Sequence, residues 1–232
     1  YLGIDLKTKG KAVYRLLDAV VTFHDALPGP GHTINYDIRI LRFTQQGDTW
    51  LFFFEFDGTV DGKPLLTMRK GCAGFFTEAA LAEGKGIVFT ELDKRPQAGK
   101  RPADWRELTP MAPASYDEKA VDALRRGDLT AAFGPAFAHI KDPMRLPGAD
   151  GSRMKLLDRV LGVEPAGGRY GLGLIRAEAD IHPDDWFLTC HFIDDQVMPG
   201  TLMYECCMHT LRIFLTRLGW TGERDACWIE PV

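Results

Sequence analysis

The residues of this chain that could do chemistry are concentrated around the start of a predicted helix near position 200. His191 precedes a Pro199-Gly200 pair, and Glu205 follows it. Because proline and glycine open the helix, its first N–H groups and its partial positive charge face back toward His191. An acyl carbonyl bound there would be polarised, and glycine at position 200 lets a ligand approach the backbone closely.

His191 and Glu205 supply a base and an acid on either side of that helix start. Histidine titrates near neutral pH and can accept a proton. Glu205 belongs to a helix that is otherwise apolar, and a carboxyl group in such surroundings holds its proton more readily than one in water. The three parts fit removal of a proton next to a carbonyl together with loss of a β-hydroxyl group.

The helix that positions these groups is predicted from Pro199 to Leu218. Apolar residues recur in it at three- and four-residue intervals, and Gly219 ends it. It is apolar on nearly every side, which predicts a central helix buried by a sheet.

Residues 11–76 are predicted to form antiparallel strands. Residues 34–40 alternate apolar and polar side chains at the period of a half-buried strand. Asp61-Gly62 lies between two apolar runs, 49–60 and 63–76, which predicts a hairpin. The run Leu51 to Phe54 is apolar at every position, so we expect both faces of that strand to be covered.

The middle of the chain is interpreted as a linker. Residues 84–113 are rich in Lys, Arg, Gly and Pro, and one amphipathic helix is predicted from Tyr116 to Arg126. The domain assignment is therefore 1–83 as the C-terminal strands of a first domain, 84–150 as a linker with a short helix, and 151–232 as the N-terminal half of a second domain, including a strand at 171–181.

Composition argues against a nucleic-acid-binding protein and against a membrane-spanning one. The 232 residues are 45% hydrophobic and 26% charged with a formal net charge of -4, which predicts a globular protein that does not bind nucleic acid. No apolar run is long enough for a membrane span. Five cysteines without a framework spacing favour a reducing cytoplasm, and the first residues read like the middle of a longer polypeptide.

No cofactor or metal is predicted. Cys206 and Cys207 point to different helix faces, and Gly171-Leu172-Gly173 lacks the third glycine of a dinucleotide loop, so we interpret it as a strand packed closely against the central helix. His209 is expected to pack on the helix rather than to act in catalysis. Basic residues between Lys94 and Arg101 form a solvated loop or, less simply, a docking site for an acidic carrier protein.

The stretch from Cys190 to Leu202 reads Cys-His-Phe-Ile-Asp-Asp-Gln-Val-Met-Pro-Gly-Thr-Leu. It resembles the motif of hot-dog-fold 3-hydroxyacyl dehydratases, in which His-Phe and Met-Pro-Gly precede an acidic residue on the central helix. The order of segments upstream is also similar, so the resemblance covers about residues 120–232. The amino-acid sequence of this stretch is most similar to the tandem dehydratase region of bacterial polyunsaturated fatty acid synthases. Glu205 stands where the unsaturation-forming enzyme has aspartate, so isomerisation of the double bond is not implied.

The resemblance implies an α+β hot-dog fold, a long central helix wrapped by an antiparallel sheet, as a piece of a tandem double hot dog. It implies His191 and Glu205 as catalytic residues, with Gly200, Cys190, Phe192 and Pro199 contacting the substrate or its oxyanion. The substrate would be a 3-hydroxyacyl chain on the phosphopantetheine of an acyl carrier protein, dehydrated to a 2-enoyl thioester during fatty acid synthesis.

Other domains of a multidomain synthase would be partners, as would a second hot dog in cis or in a homodimer. In this fold the histidine and the acid of one site usually come from two hot dogs. Two alternatives stay open: a non-catalytic acyl-binding or dimerisation module, and a hot-dog thioesterase. The residues also leave open whether the chain is a cut tandem or a permuted single hot dog.

Overall fold

The computed structural model describes residues 3–141 and 143–220. The chain divides into two compact units, residues 1–88 and 89–232, and each is described by itself. Within the described part, no helix has the length and apolar character needed to cross a bilayer.

The first unit is a four-stranded antiparallel sheet with the strand order β1-β4-β3-β2. Its elements are α1 (Ile4–Thr8), β1 (Ala12–Phe23), β2 (Ile34–Gln46), β3 (Thr49–Val60), β4 (Lys63–Thr77) and α2 (Glu78–Ala82). The predicted hairpin is confirmed, since Val60 pairs with Lys63 across Asp61 and Gly62. Both turn residues have positive φ, 48° and 81°, as tight hairpin turns require.

The two faces of this sheet differ in polarity. Ile38, Phe56 and Met68 are register partners on one face, whereas Arg39 on the other face donates to Glu55 and Asp57. The alternation predicted for β2 is therefore correct, but its apolar side chains are exposed rather than half-buried, Ile38 by 59%. The expectation that both faces of β3 are covered is wrong for most of the run. Phe52 is buried, but Leu51, Phe53 and Phe54 are only half-buried.

The second unit contains a three-stranded antiparallel sheet with the order β5-β6-β7. Its strands and helices are α3 (Glu91–Lys94), β5 (Ala114–Tyr116), α4 (Glu118–Arg126), α5 (Leu129–Phe133), β6 (Arg159–Glu164), β7 (Leu174–Glu178) and α6 (Gly200–Arg217). Short 3-10 helices occupy Pro135–Phe137 and Ala149–Gly151. Among the described residues, no strand is shared between the two sheets.

The linker interpretation of residues 84–150 is corrected for its second half. Tyr116, Val121, Leu124, Leu129 and Phe137 are buried in one cluster with strand β6 and helix α6. Helix α4 forms because the Asp117 side chain caps its first turn and Gly127 ends it in a left-handed conformation. Its apolar side chains then need burial, which turns this segment into part of the core.

Helix α6 is buried on one side only. The expectation that it is covered all round is wrong for the described residues: His209 and Ile213 are buried, but Met203 and Tyr204 are more than half exposed. Gly173, directly before β7, approaches α6 closely enough that an added Cβ would lie 2.5 Å from the Phe214 ring. The close approach to the helix is therefore confirmed for Gly173, but the strand predicted at 171–181 is shorter, since β7 begins only at Leu174.

A buried arginine fixes the end of α6. The Arg217 guanidinium donates to the Tyr116 hydroxyl at 2.8 Å and to the Pro110 carbonyl at 2.9 Å, while the Thr109 hydroxyl donates to the Arg217 carbonyl at 2.8 Å. Arg217 is 7% exposed. The helix is therefore held at its C-terminal end to the chain that leads into β5.

Candidate active site

The ring of His191 is held by a backbone carbonyl. Its Nδ1 lies 2.9 Å from the Val197 carbonyl oxygen, which can only accept a hydrogen bond. In the neutral ring, Nδ1 therefore carries the hydrogen and Nε2 keeps its lone pair. The arrangement presents Nε2 as the atom that can accept a proton.

Backbone hydrogen bonds close the loop that carries this histidine. The Val197 N–H donates to the His191 carbonyl at 3.0 Å, and the His191 N–H donates to the Phe187 carbonyl at 2.9 Å. Phe192 and Asp195 exchange backbone hydrogen bonds inside the loop, and the Phe192 ring stacks on the His191 ring with centroids 4.3 Å apart. The imidazole is positioned by its own loop rather than by a distant element.

Helix α6 begins directly after this loop. Pro199 is its N-cap residue, and its carbonyl accepts the N–H groups of Leu202 and Met203. The first N–H groups of a helix, here beginning with Gly200, have no intrahelical acceptor. A Cβ placed on Gly200 would meet no atom within 4 Å, so the space above this helix start is open to a ligand.

Glu205 contacts a histidine, but not His191. Its Oε1 lies 3.2 Å from Nε2 of His209, one turn further along α6, and its side chain is 29% exposed. The geometry is that of a charge contact rather than of an aligned hydrogen bond, and Nδ1 of His209 has no hydrogen-bond partner among the described residues. His209 is completely buried, as the packing role predicted for it requires.

Burial lowers the pKa of His209 from its ordinary value, and the charge of Glu205 opposes that shift. The positive charges of Arg212 and Arg125 lower the same pKa further. This contact between Glu205 and His209 was not predicted, although the spacing of four residues on one helix was a signal for it.

The other predicted site residues lie around the same loop. Cys190 is exposed, and its Sγ donates to the Trp186 carbonyl at 3.4 Å. Phe192 is 41% exposed and Pro199 is half-buried. Over the described residues, no direct contact joins His191 to Glu205, so the pairing of these two groups in one site stays a prediction.

A pocket of about 240 Å³ adjoins the His191 loop. Its walls come from residues 151–156 and 180–187, and Met198 completes them. Arg153, Asp185 and Trp186 line it, and none of them was a candidate in the sequence analysis. They belong to segments that are distant in sequence, and no local pattern marks them.

Residues 149–230, which include the His191 loop and α6, match the FabA-like domain family. The match confirms the predicted α+β, hot-dog class and the resemblance to dehydratases.

Most of the chain is also similar to part of a much longer protein. It is 37% identical over 227 residues to one of the subunits of a polyunsaturated fatty acid synthase from Thraustochytrium sp.. The alignment covers 94% of this chain but 15% of that protein, so the chain with its FabA-like domain spans a small part of the relative's length.

A solved structure, the full-length peroxisomal multifunctional enzyme type 2 from Drosophila melanogaster, is also similar. The identity is 13% and the TM-score is 0.22, with 69% of this chain and 33% of that chain covered.

Proposed function

We propose that the FabA-like domain of this chain removes water from 3-hydroxyacyl thioesters. The observation that carries the proposal is the hydrogen bond from His191 Nδ1 to the Val197 carbonyl, because it leaves Nε2 as a base on the loop that leads directly into the open start of α6. The family match and the synthase relative support the same reaction class.

In the proposed reaction, Nε2 of His191 takes the proton from the carbon next to the thioester carbonyl. The N–H group of Gly200 donates to the carbonyl oxygen as negative charge develops there. Glu205, in its protonated form, gives a proton to the 3-hydroxyl group, the carbon–oxygen bond breaks, and water leaves as the double bond forms. The elimination is redox-neutral, and the proton gained by His191 matches the one lost by Glu205.

The substrate is proposed to arrive on the phosphopantetheine of an acyl carrier protein. The support for this substrate is the similarity of the chain to a subunit of a fatty acid synthase. The other domains of such a synthase would be further partners. A second hot dog, in cis or in a homodimer, would complete the site. Location in the cytoplasm stays a prediction.

Substitution of the base tests the proposal. His191→Asn keeps an N–H donor for the Val197 carbonyl but removes the ring nitrogen that accepts the proton, so we expect dehydration of a 3-hydroxyacyl thioester to fall by about 10²–10⁴-fold. His139→Asn is the matched control and should retain activity, because this exposed histidine also has its Nδ1 2.9 Å from a backbone carbonyl, that of Ala136, but lies outside the loop.

The product identifies the reaction class. An enoyl thioester is expected, whereas release of the free acid would assign a hot-dog thioesterase. Turnover by a folded His191→Asn protein at the rate of the unsubstituted chain would contradict the assignment of the base. Binding of the thioester without any product would assign the non-catalytic module.

Mixing of two inactive variants tests which Glu205 serves which His191. If two copies share a site, His191→Asn and Glu205→Gln proteins should regain activity when they are mixed, because some assemblies then contain one intact site. Two variants that stay inactive after mixing and re-equilibration would place both groups in one copy.

A further inference from the structure

The pocket beside the His191 loop is connected to it through the backbone. Phe187, which lines the pocket, accepts the His191 N–H, and Met198 directly follows the Val197 carbonyl that holds the ring. A group bound in this pocket would therefore lie against the segment that positions the proposed base.

The charged residues of the pocket differ in how many of their hydrogen-bonding atoms have partners. Asp180 accepts two hydrogen bonds from Arg159, at 2.6 and 2.8 Å, and Lys155 donates to Glu118 at 2.8 Å. Asp185 uses one carboxylate oxygen to accept the His182 N–H at 2.7 Å.

Arg153 differs from these residues. Within the described residues its guanidinium has no carboxylate partner, and it lies 5.4 Å from the centre of the Trp186 ring. Among the described residues, Arg153 and the second oxygen of Asp185 are thus a donor and an acceptor that both remain available.

Besides Ser152 and the charged groups, the wall contains apolar side chains. Leu156 and Phe187 are buried, and Trp186, Met198 and Ile181 complete it. A small anion would be repelled by the carboxylates of Asp180 and Asp185. A hydrocarbon chain would remove Arg153 and Asp185 from water without offering a hydrogen bond, and this desolvation is unfavourable. The lining is complementary to a neutral chain that carries amide groups between methylene groups.

We propose that this pocket binds an amide-bearing segment of the arm that presents the thioester, a pantetheine-type chain. Arg153 donates to an amide carbonyl, and Asp185 accepts an amide N–H. The volume is below the roughly 300–1,000 Å³ of pockets that enclose whole ligands, so a segment of the arm fits rather than all of it. This inference rests on the proposed function, which supplies the thioester.

The test compares two unreactive ligands that share one alkyl group. One is an S-alkyl pantetheine thioether, and the other is the shorter N-acetyl-S-alkylcysteamine, which lacks the second amide. Calorimetry on the full chain should show that the pantetheine compound binds about tenfold more tightly, as expected for one added hydrogen bond to a charged group.

Arg153→Met should abolish that preference and leave the affinity for the shorter compound unchanged. Asp185→Asn keeps an oxygen for the His182 N–H but replaces the free acceptor by a donor, so it should reduce the preference as well. Arg176→Met is the control, because this arginine is paired with Glu164 and does not line the pocket.

Equal affinities of the unsubstituted protein for both compounds would overturn the proposal, as would an equal loss for both in Arg153→Met. The ligands carry no 3-hydroxyl group, so the measurement is independent of dehydration. A protein that prefers the pantetheine compound but dehydrates no thioester contradicts the proposed function alone. A protein that dehydrates but shows no preference contradicts this inference alone.

Discussion

Oε1 of Glu205 lies 3.2 Å from Nε2 of His209, so the proposed acid is in contact with a fully buried imidazole on the same helix. The contact links the charge of Glu205 to the protonation of the core, because burial lowers the pKa of His209 and the glutamate charge opposes that shift.

The first prediction concerns stability at acid pH. Since the folded-state pKa of His209 is below its ordinary value near 6.5, the unfolded chain binds the proton more readily. The contribution of the neutral ring is complete above pH 6.5 and is lost as the pH falls below it. Between pH 7.5 and 5.5, His209→Gln should show a smaller decrease in Tm than the unsubstituted chain.

Glu205→Gln is the counterpart of that experiment. It removes the negative charge that favours the protonated ring, and it leaves the positive charges of Arg212 and Arg125. The decrease in Tm on acidification should become steeper than in the unsubstituted chain. If Tm falls with pH equally in the unsubstituted chain, His209→Gln and Glu205→Gln, His209 is not the titrating group.

The second prediction separates activity from stability at Gly200. A Cβ at this position meets nothing within 4 Å, and the residue does not need positive φ. Gly200→Ala should therefore leave the free energy of unfolding unchanged or raise it by up to about 1 kcal/mol. The methyl group would still occupy the space in which a carbonyl must approach, so kcat/KM should fall by about 10²-fold. Full activity would show that no substrate approaches this amide.

The third prediction compares two glycines before β7. An added Cβ at Gly173, where φ is 139°, would lie 2.5 Å from the Phe214 ring, whereas at Gly171, with φ of 64°, the nearest atom is 3.8 Å away. Gly173→Ala should cost about 2–4 kcal/mol through overlap and backbone strain. Gly171→Ala should cost about 1 kcal/mol through strain alone. Urea unfolding of the two variants measures the difference, and equal losses would contradict the close contact with α6.

The fourth prediction concerns the end of α6. Arg217→Lys keeps the charge but cannot reach both the Tyr116 hydroxyl and the Pro110 carbonyl, so we expect a loss of about 1.5–3 kcal/mol in the free energy of unfolding. Arg126→Lys, at an exposed position on α4, is the control and should change stability by less than about 0.5 kcal/mol. Similar values for the two variants would show that the buried contacts of Arg217 do not hold the helix.

Local signals in the sequence determined the elements around the candidate site. Pro199 and Gly200 mark the start of α6, Gly219 marks its end, and Asp61-Gly62 marks the hairpin, because each of these residues acts on the backbone within one turn. The Cys190–Leu202 motif led to the resemblance to hot-dog dehydratases, which the match to the FabA-like domain family confirms.

Tertiary structure decided which side chains meet and which faces are covered. Residues 114–137 were assigned to a linker with one short helix, yet they pack against β6 and α6, because the partners of an amphipathic helix lie far away in the sequence. The apolar composition of α6 predicted burial all round, but coverage depends on which strands reach the helix, and Met203 and Tyr204 remain exposed. The contact of Glu205 with His209 and the pocket of Arg153 and Asp185 arise from distances in three dimensions, which residue types and spacing alone do not specify.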